Sequence, residues 1–286
     1  MKPKVAVLLG VLAVSFAAPL IKLSTAPASV IAFYRMFLAA VATLLLARGK
    51  LEPIPHPLRL QIPLAGVFLG LHFAVWIASL GFTSVLSSVA LVTLQPVIVA
   101  LASRFLFREH LPAQAYCGIA LAVLGGLILA AADMLGPDGS LLGDLLAFLG
   151  AVFISGYLIL GRFIRRDVGT FTYTFWVYVY AALTLLLLVL INRQTLTGSP
   201  VHDWLIFLAL ALVCTIMGHS VFNWALAFLS PTTVTVAILG EPIGACFWDY
   251  LLFGQVPGFP QLAAGLLLLG GVAVFLFASR TAANGT

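Results

Sequence analysis

The sequence predicts an all-α polytopic membrane protein of ten transmembrane helices, arranged as two inverted five-helix repeats. Three observations carry this expectation. Of the 286 residues, 63% are hydrophobic and only 8% are charged, a composition outside the range of soluble domains. The apolar stretches run to about twenty residues, the length a helix needs to cross a bilayer, and lack the short alternating segments of an outer-membrane barrel. A polar pattern inside those stretches recurs at an offset of 146 residues.

The recurrence centres on Leu239-Gly240-Glu241-Pro242, in the apolar run from Thr232 to Phe253, and on Leu94-Gln95-Pro96, in the run from Leu86 to Phe107. An ionised acid at the middle of a membrane costs roughly 2.5 to 3.5 kcal/mol, and a proline inside a helix about 3 kcal/mol. Something must offset both. His72 and Trp76 precede the first motif as His219 and Asn223 precede the second, with the same four-residue spacing. A Leu-Phe pair follows each motif (Leu106-Phe107, Leu252-Phe253), then a proline (Pro112, Pro260), then a run containing Gly125-Gly126 or Gly270-Gly271. The chain therefore divides into a first repeat over 1–132, a linker over 133–140 and a second repeat over 141–286.

The N-terminus imitates a secretory signal, with Lys2 and Lys4 ahead of an apolar stretch and small residues around Ser15-Phe16-Ala17. Removing it would leave one repeat short of a helix, so Val5 to Ile21 is expected as helix 1. Helix 2 is expected from Ala28 to Ala47, helix 3 from Ile62 to Phe82, helix 4 from Leu86 to Phe107 and helix 5 from Ala113 to Ala132. After the acidic link from Asp133 to Gly139 come helix 6 (Leu141 to Gly161), helix 7 (Thr170 to Ile191), helix 8 (Trp204 to Phe228), helix 9 (Thr232 to Phe253) and helix 10 (Gln261 to Ser279).

Basic residues mark the ends of these runs and set the orientation. With both termini in the cytoplasm, the inner side receives Lys2, Lys4, Arg48, Lys50, Arg59, Arg104, Arg108, Arg162, Arg165, Arg166 and Arg280, and the outer side only Lys22 and Arg193. Five helices per repeat is an odd number, so equivalent helices cross in opposite directions. The charges agree: Arg104 and Arg108 correspond to Tyr250 and Gly254, at the other face. Inverted repeats with polar residues near the midplane are the build of secondary transporters.

Other classes find little support. Basic residues at helix ends rather than on one polar face argue against nucleic acid as a partner. Cys117, Cys214 and Cys246 have no metal-ligand spacing, and none of Lys2, Lys4, Lys22 and Lys50 is followed by Ser or Thr, so no P-loop is present. No cofactor is expected. A membrane-embedded enzyme acting on a lipid or isoprenoid is the alternative, but the nine acidic residues are too dispersed for clustered-acid chemistry. A passive channel has no need of the symmetry.

Several stretches give the chain a further likeness: Tyr34-Arg35-Met36-Phe37-Leu38-Ala39-Ala40, Leu80 to Pro96 through Ser84-Val85-Leu86-Ser87-Ser88, Gly156-Tyr157 to Arg162, and Leu239-Gly240-Glu241-Pro242. In these it resembles the EamA-like branch of the drug/metabolite transporter superfamily, over nearly its whole length. Two departures stand out. Ser15-Phe16 replaces a tryptophan-glycine often found in the family's first helix, and Gln255 replaces the acid that often closes the ninth, although Glu109 keeps it in the first repeat. The resemblance implies ten helices built from two units and export of amino acids or other small metabolites.

The expected substrate site draws on Arg35, His72, Trp76, Gln95, Tyr157, Trp176, His219, Asn223 and Glu241, with Pro96 and Pro242 as hinges. Glu241 either exchanges a proton or meets a substrate ammonium, or it stays protonated and bonds a carbonyl of its own kinked helix. Gln95 cannot titrate. His72 with Trp76 and His219 with Asn223 share helix faces and either line a cavity for a zwitterionic or aromatic solute or hold helices together. Arg35 pairs with a substrate carboxylate or, as the preferred reading, snorkels or binds helix-end carbonyls. Asp249 is expected in solvent at the outer mouth, with gating as the lesser role. Gly66 to Gly70 and Gly240 to Gly244 permit close helix approach. The expected function is transport of a small organic metabolite, outward, across the cell (inner) membrane, with the lipid bilayer as surroundings and protons as the coupling ion if Glu241 titrates.

Overall fold

The computed structural model describes residues 3–107, 112–134, 140–165, 167–225 and 238–283. Lys2, Arg108, Glu109, Arg166, most of the Asp133 to Gly139 link, the beginning of the expected ninth helix at Thr232 and the Asn284-Gly285-Thr286 tail lie outside the described residues, as do the side chains of Lys4, Arg104, Arg162 and Arg280. Among the described residues the regular structure is entirely helical.

Several spans match the expected runs closely: α3 (Ala28–Leu46), α4 (Gln61–Ser79), α7 (Ala113–Met134), α8 (Leu141–Ile164), α9 (Thr170–Ile191) and the closing helix, α13 (Phe259–Ala283). The others are interrupted. Helix 1 is α1 (Pro3–Ser15) and α2 (Ala17–Leu23), separated at Phe16. Helix 4 is α5 (Val85–Val92) and α6 (Gln95–Phe107), separated at Thr93-Leu94. Helix 8 begins as α10 (Val201–Ala209), widens into a π-helical stretch over Leu210–Ser220 and returns as α11 (Val221–Ala225). The described part of helix 9 resumes, after Leu239-Gly240, as α12 (Glu241–Phe253).

The breaks in helices 1, 4 and 9 sit beside prolines, whereas the π-helical stretch of helix 8 contains none, and at Pro96 and Pro242 the proline opens a new half-helix rather than lying inside one. Pro96 and Pro242 are the second residues of α6 and α12. There the missing N–H is one that a helix start leaves unpaired in any case, so the proline strains little. The bend falls two or three residues earlier, at Thr93-Leu94 and Leu239-Gly240. Pro19, three residues after Phe16, has no N–H for the Ser15 carbonyl and accounts for the break in helix 1. Ser15 Oγ turns back onto the Leu12 carbonyl (2.8 Å) and Thr93 Oγ1 onto that of Ala90 (2.6 Å), so polar side chains at two breaks are satisfied locally.

Packing repeats under exchange of each helix with the one five places on. The α4–α8 contact has its counterpart in α1 against the π-helical stretch, α4–α9 in α3 against the same stretch, and α5–α8 in α1–α12. The pairs α3–α9, α5–α12 and α7–α13 map onto themselves. This is the contact pattern of two inverted repeats. The larger core joins α3, α4, α8, α9 and the π-helical stretch, and a second joins α5, α6, α7 and α13.

Small residues set the closest approaches. Gly66 and Gly70 of α4 lie against Tyr180, Ala181 and Thr184 of α9, and Gly244 of α12 against Ser15. The α7–α13 pair is tighter still: a methyl on Gly271 would stand 2.3 Å from the Ala122 backbone nitrogen, whereas one on Gly270 would meet nothing within 4 Å. Adjacent glycines therefore differ in what they tolerate. Gly271→Ala is expected to destabilise the detergent-solubilised protein by about 1–3 kcal/mol through overpacking, while Gly270→Ala is neutral or better by up to about 1 kcal/mol through helix propensity. Thermal unfolding of the two variants side by side checks this, and equal shifts would contradict the packing described.

Candidate functional site

Arg35 lies at the centre of the candidate site. It falls on the inward face of α3 and is 0% exposed, which removes the snorkelling role: its guanidinium never approaches the headgroups. Nε donates to Thr215 Oγ1 at 2.9 Å, and the planar head lies over the Phe73 ring at 4.2 Å and near Trp76 at 5.9 Å. Both terminal nitrogens lack a hydrogen-bond partner. A cation–π contact compensates part of that loss, yet two strong donors remain aimed at nothing.

The π-helical stretch explains how Thr215 reaches Arg35. Its hydroxyl also donates to the Leu210 carbonyl five residues back (3.0 Å), a bond suited to the wider winding. Histidines flank the same aromatic. His72 meets Phe73 edge-on (centroids 4.8 Å apart), and His219 meets it from the other side at 6.0 Å, nearly perpendicular. His72 Nδ1 lies 2.9 Å from the Gly150 carbonyl oxygen. A carbonyl only accepts, so Nδ1 carries the proton. The Trp76 ring lies parallel to His72, 6.0 Å away, confirming their common face, and its Nε1–H is buried without an acceptor.

Glu241 is the first residue of α12, half-buried, and makes no hydrogen bond or ion pair among the described residues. It lies within electrostatic reach of Arg35, as do His72, His219 and Tyr178. Gln95 opens α6 in the same way, and its main-chain carbonyl accepts from Ser155 Oγ at 3.2 Å. Both motifs thus stand at half-helix N-termini, where the backbone presents unpaired N–H groups and a positive dipole end.

Tyr157 of α8 accepts from Asn223 Nδ2 (3.3 Å) and stacks on Tyr173 of α9, where Tyr178 pairs its hydroxyl with that of Ser220 (3.0 Å). The structure thus gathers Arg35, His72, Trp76, His219 and Glu241, and places Tyr157 with Asn223 beside them. Trp176 does not join. Its ring partners are Phe175 and Tyr180, and no contact with the central residues is seen among the described residues. Phe73, Thr215 and Ser220 escaped the sequence reading, which placed Tyr178 among aromatics of packing or an interfacial belt. Thr215 and Ser220 had a visible signal, as polar residues in the apolar run that carries His219. Phe73 had none.

Two acidic residues fasten loops at the edges of the bundle. Asp203 accepts from Ser24 Oγ (2.7 Å), the Thr25 backbone N–H (3.0 Å) and Thr25 Oγ1 (2.8 Å), and Glu52 accepts from the Gly169 backbone N–H at 2.9 Å. Asp249 is a correction. It is buried rather than in solvent, because α2 packs over it and brings Lys22 to 3.6 Å.

Removing the Thr215 hydroxyl would leave the whole Arg35 head without a hydrogen-bond acceptor. Thr215→Val should lower stability by about 1–3 kcal/mol, and Thr215→Ser should be much closer to the parent. Thermal unfolding of both variants checks the contact, which does not matter if valine and serine behave alike.

Comparison with known proteins bears on the whole chain. Residues 2–131 and 141–277 each match the family model described as the EamA-like transporter family. The "Uncharacterized transporter YdfC" of Bacillus subtilis (strain 168) is 25% identical over 251 residues, 85% of this chain and 79% of the relative. A solved crystal structure covering 98% of both chains superposes with a TM-score of 0.66 at 20% identity, a likeness of fold.

Proposed function

Because the chain belongs to the EamA-like transporter family, we propose that it is a secondary transporter that moves a small amino-acid-like metabolite out of the cell by alternating access. The observation that carries the substrate reading is the pair of unpartnered groups at the centre: a fully buried guanidinium with two idle terminal nitrogens, and a half-buried carboxylate with no partner, within electrostatic reach of one another. A solute bearing both a carboxylate and an ammonium satisfies each with the opposite charge. Charge-assisted bonds of this kind are worth about 1.5–3 kcal/mol each. Phe73 and Trp76 supply an apolar wall beside the charges, and His72 and His219 add polar edges to it.

The rocking elements would be the half-helices that begin at Gln95 and Glu241, pivoting where the chain is interrupted ahead of Pro96 and Pro242. Glu241 would serve as the proton carrier, since it is the one acidic group among the central residues, and Gln95 at the equivalent position cannot titrate. The cytoplasmic placement of both termini, in a cell (inner) membrane, follows from the distribution of basic residues.

Reconstitution into liposomes with a panel of labelled amino acids, with and without a pH gradient, tests the reading. Saturable flux of a carboxylate-bearing amine is the expected result. Arg35→Lys should raise its KM roughly 10- to 150-fold, the loss of one charge-assisted contact, and Glu241→Gln should abolish gradient-driven flux while leaving counterflow exchange. His72→Ala and His219→Ala should shift KM more than expression. Unchanged gradient-driven flux in a well-folded Glu241→Gln protein removes the carboxylate as proton carrier, and indifference of KM to Arg35→Lys removes the carboxylate-binding role.

A further inference from the structure

A second polar constellation lies well away from the central site, where α2 meets the far end of α12. We propose that Lys22 and Asp249 form a latch that closes one mouth of the transport path, opened by movement of α12 away from α2; the inference rests on the transport reading above. Lys22 Nζ donates to Gln255 Oε1 at 3.0 Å, lies 3.6 Å from Asp249 Oδ1 and stands 5.3 Å from the centre of the Phe253 ring. The three residues it touches all belong to the end of α12 and the turn beyond it. Gly254, with φ +68°, adopts the left-handed conformation that ends α12 and turns Gln255 toward Lys22.

The latch borders open space. A cavity of about 780 Å³ is lined by Lys22, Cys246, Asp249 and Gln255, together with the turn before α5 and the start of α13. Below it, Phe16 stacks on Trp248 at 4.0 Å, Trp248 Nε1 donates to Ser15 Oγ at 3.0 Å, and Gly244 abuts Ser15. Helix 1 and α12 are thus zipped together from Gly244 up to the mouth.

Relative strengths decide which side moves. The chain just after α2 is tied to α10 by three hydrogen bonds of 2.7–3.0 Å to the buried Asp203. The tie to α12 is weaker: one hydrogen bond to an exposed amide and an ion pair longer than the 2.7–2.9 Å of a charge-assisted bond. Asp249 Oδ1 is buried without a hydrogen bond, so the closed pair is incompletely satisfied and readily opened. α2 therefore stays with α10 at the mouth, and α12 swings about the interruption at Leu239-Gly240, parting the Phe16–Trp248 stack and the Trp248–Ser15 bond as the latch opens. Glu241 stands at the base of that same half-helix, about 12 Å below Asp249 at 1.5 Å per residue, so a change at the central site and a change at the latch move one rigid segment.

The equivalent positions of the other repeat do not carry this pair. The 146-residue offset carries Ser15 onto Gly161, Lys22 onto Val168, Trp248 onto Ala102 and Asp249 onto Ser103. None of these replacements can rebuild the ion pair or the indole bond. The Lys22–Asp249 latch is thus not repeated by the inverted symmetry, and it biases the protein toward closure at its own face.

Cys246 provides the test, because it lines the cavity and is half-buried behind the latch. Detergent-solubilised full-length protein, with both faces accessible, is treated with a charged methanethiosulfonate reagent, and modification is followed by peptide mass spectrometry at Cys246 and at the buried Cys214. Lys22→Met and Asp249→Asn should each accelerate labelling of Cys246 roughly 1.5- to 5-fold, the range expected on losing a partly screened ion pair, and leave Cys214 unmodified. The exchanged pair Lys22→Asp with Asp249→Lys should return the rate toward the parent. An unchanged Cys246 rate in both single variants overturns the latch, as does an equal rise at Cys214, which would mean general loosening. The readout needs no substrate, so failure of the transport reading would leave this result standing on its own.

Discussion

In hydrocarbon, a backbone amide or carbonyl without a partner costs several kcal/mol, and that constraint explains where this protein can be irregular. The interruptions at Phe16, Thr93-Leu94 and Leu239-Gly240 and the wide winding over Leu210–Ser220 occur on helices packed against the rest of the bundle, where side chains such as those of Ser15, Thr93 and Thr215 reach the nearby carbonyls. The helices α7, α9 and α13 run without a break. The irregular backbone and the polar chemistry therefore coincide. A half-helix that begins inside the bundle brings its unpaired N–H groups with it, and Glu241 and Gln95 stand at two such starts.

The central cluster shows how a buried charge is tolerated without being neutralised by a fixed partner. Arg35 rests on Phe73 and near Trp76 and holds one hydroxyl, Thr215. Removing a guanidinium from water costs far more than these contacts return. The remaining deficit favours any solute that brings an acceptor to the idle nitrogens, and the same holds in reverse for Glu241. Incomplete satisfaction at the centre and at Asp249 is consistent with groups that change partners during a cycle.

The inverted repeat supplies the scaffold but not the function. Contacts map onto one another when each helix is exchanged with its counterpart, and yet the chemistry has diverged between the halves. Glu241 answers to Gln95, Asn223 to Trp76 and Asp249 to Ser103. Among the polar residues of the recurrence, the histidines at 72 and 219 are kept in both. A structurally symmetric frame thus carries unequal side chains in its two halves, with Glu241 the one acid among the described central residues.

Much of this was legible in the chain. Long apolar runs, the 146-residue recurrence and the placement of basic residues gave a ten-helix inverted repeat, because bilayer thickness and backbone hydrogen bonding leave few alternatives. Shared helix faces also followed from spacing, as the parallel His72 and Trp76 rings bear out. Which polar residues converge did not follow. The burial of Arg35, the separation of Trp176 from the cluster and the covering of Asp249 by α2 depend on the rotation of each helix about its own axis. Hydropathy does not encode that rotation, since lipid and protein interior are equally apolar; side-chain packing between distant helices sets it. The wide turn that brings Thr215 to Arg35 lies in the same category, for an extra residue in a helix leaves no mark on an apolar sequence until its neighbours are in place.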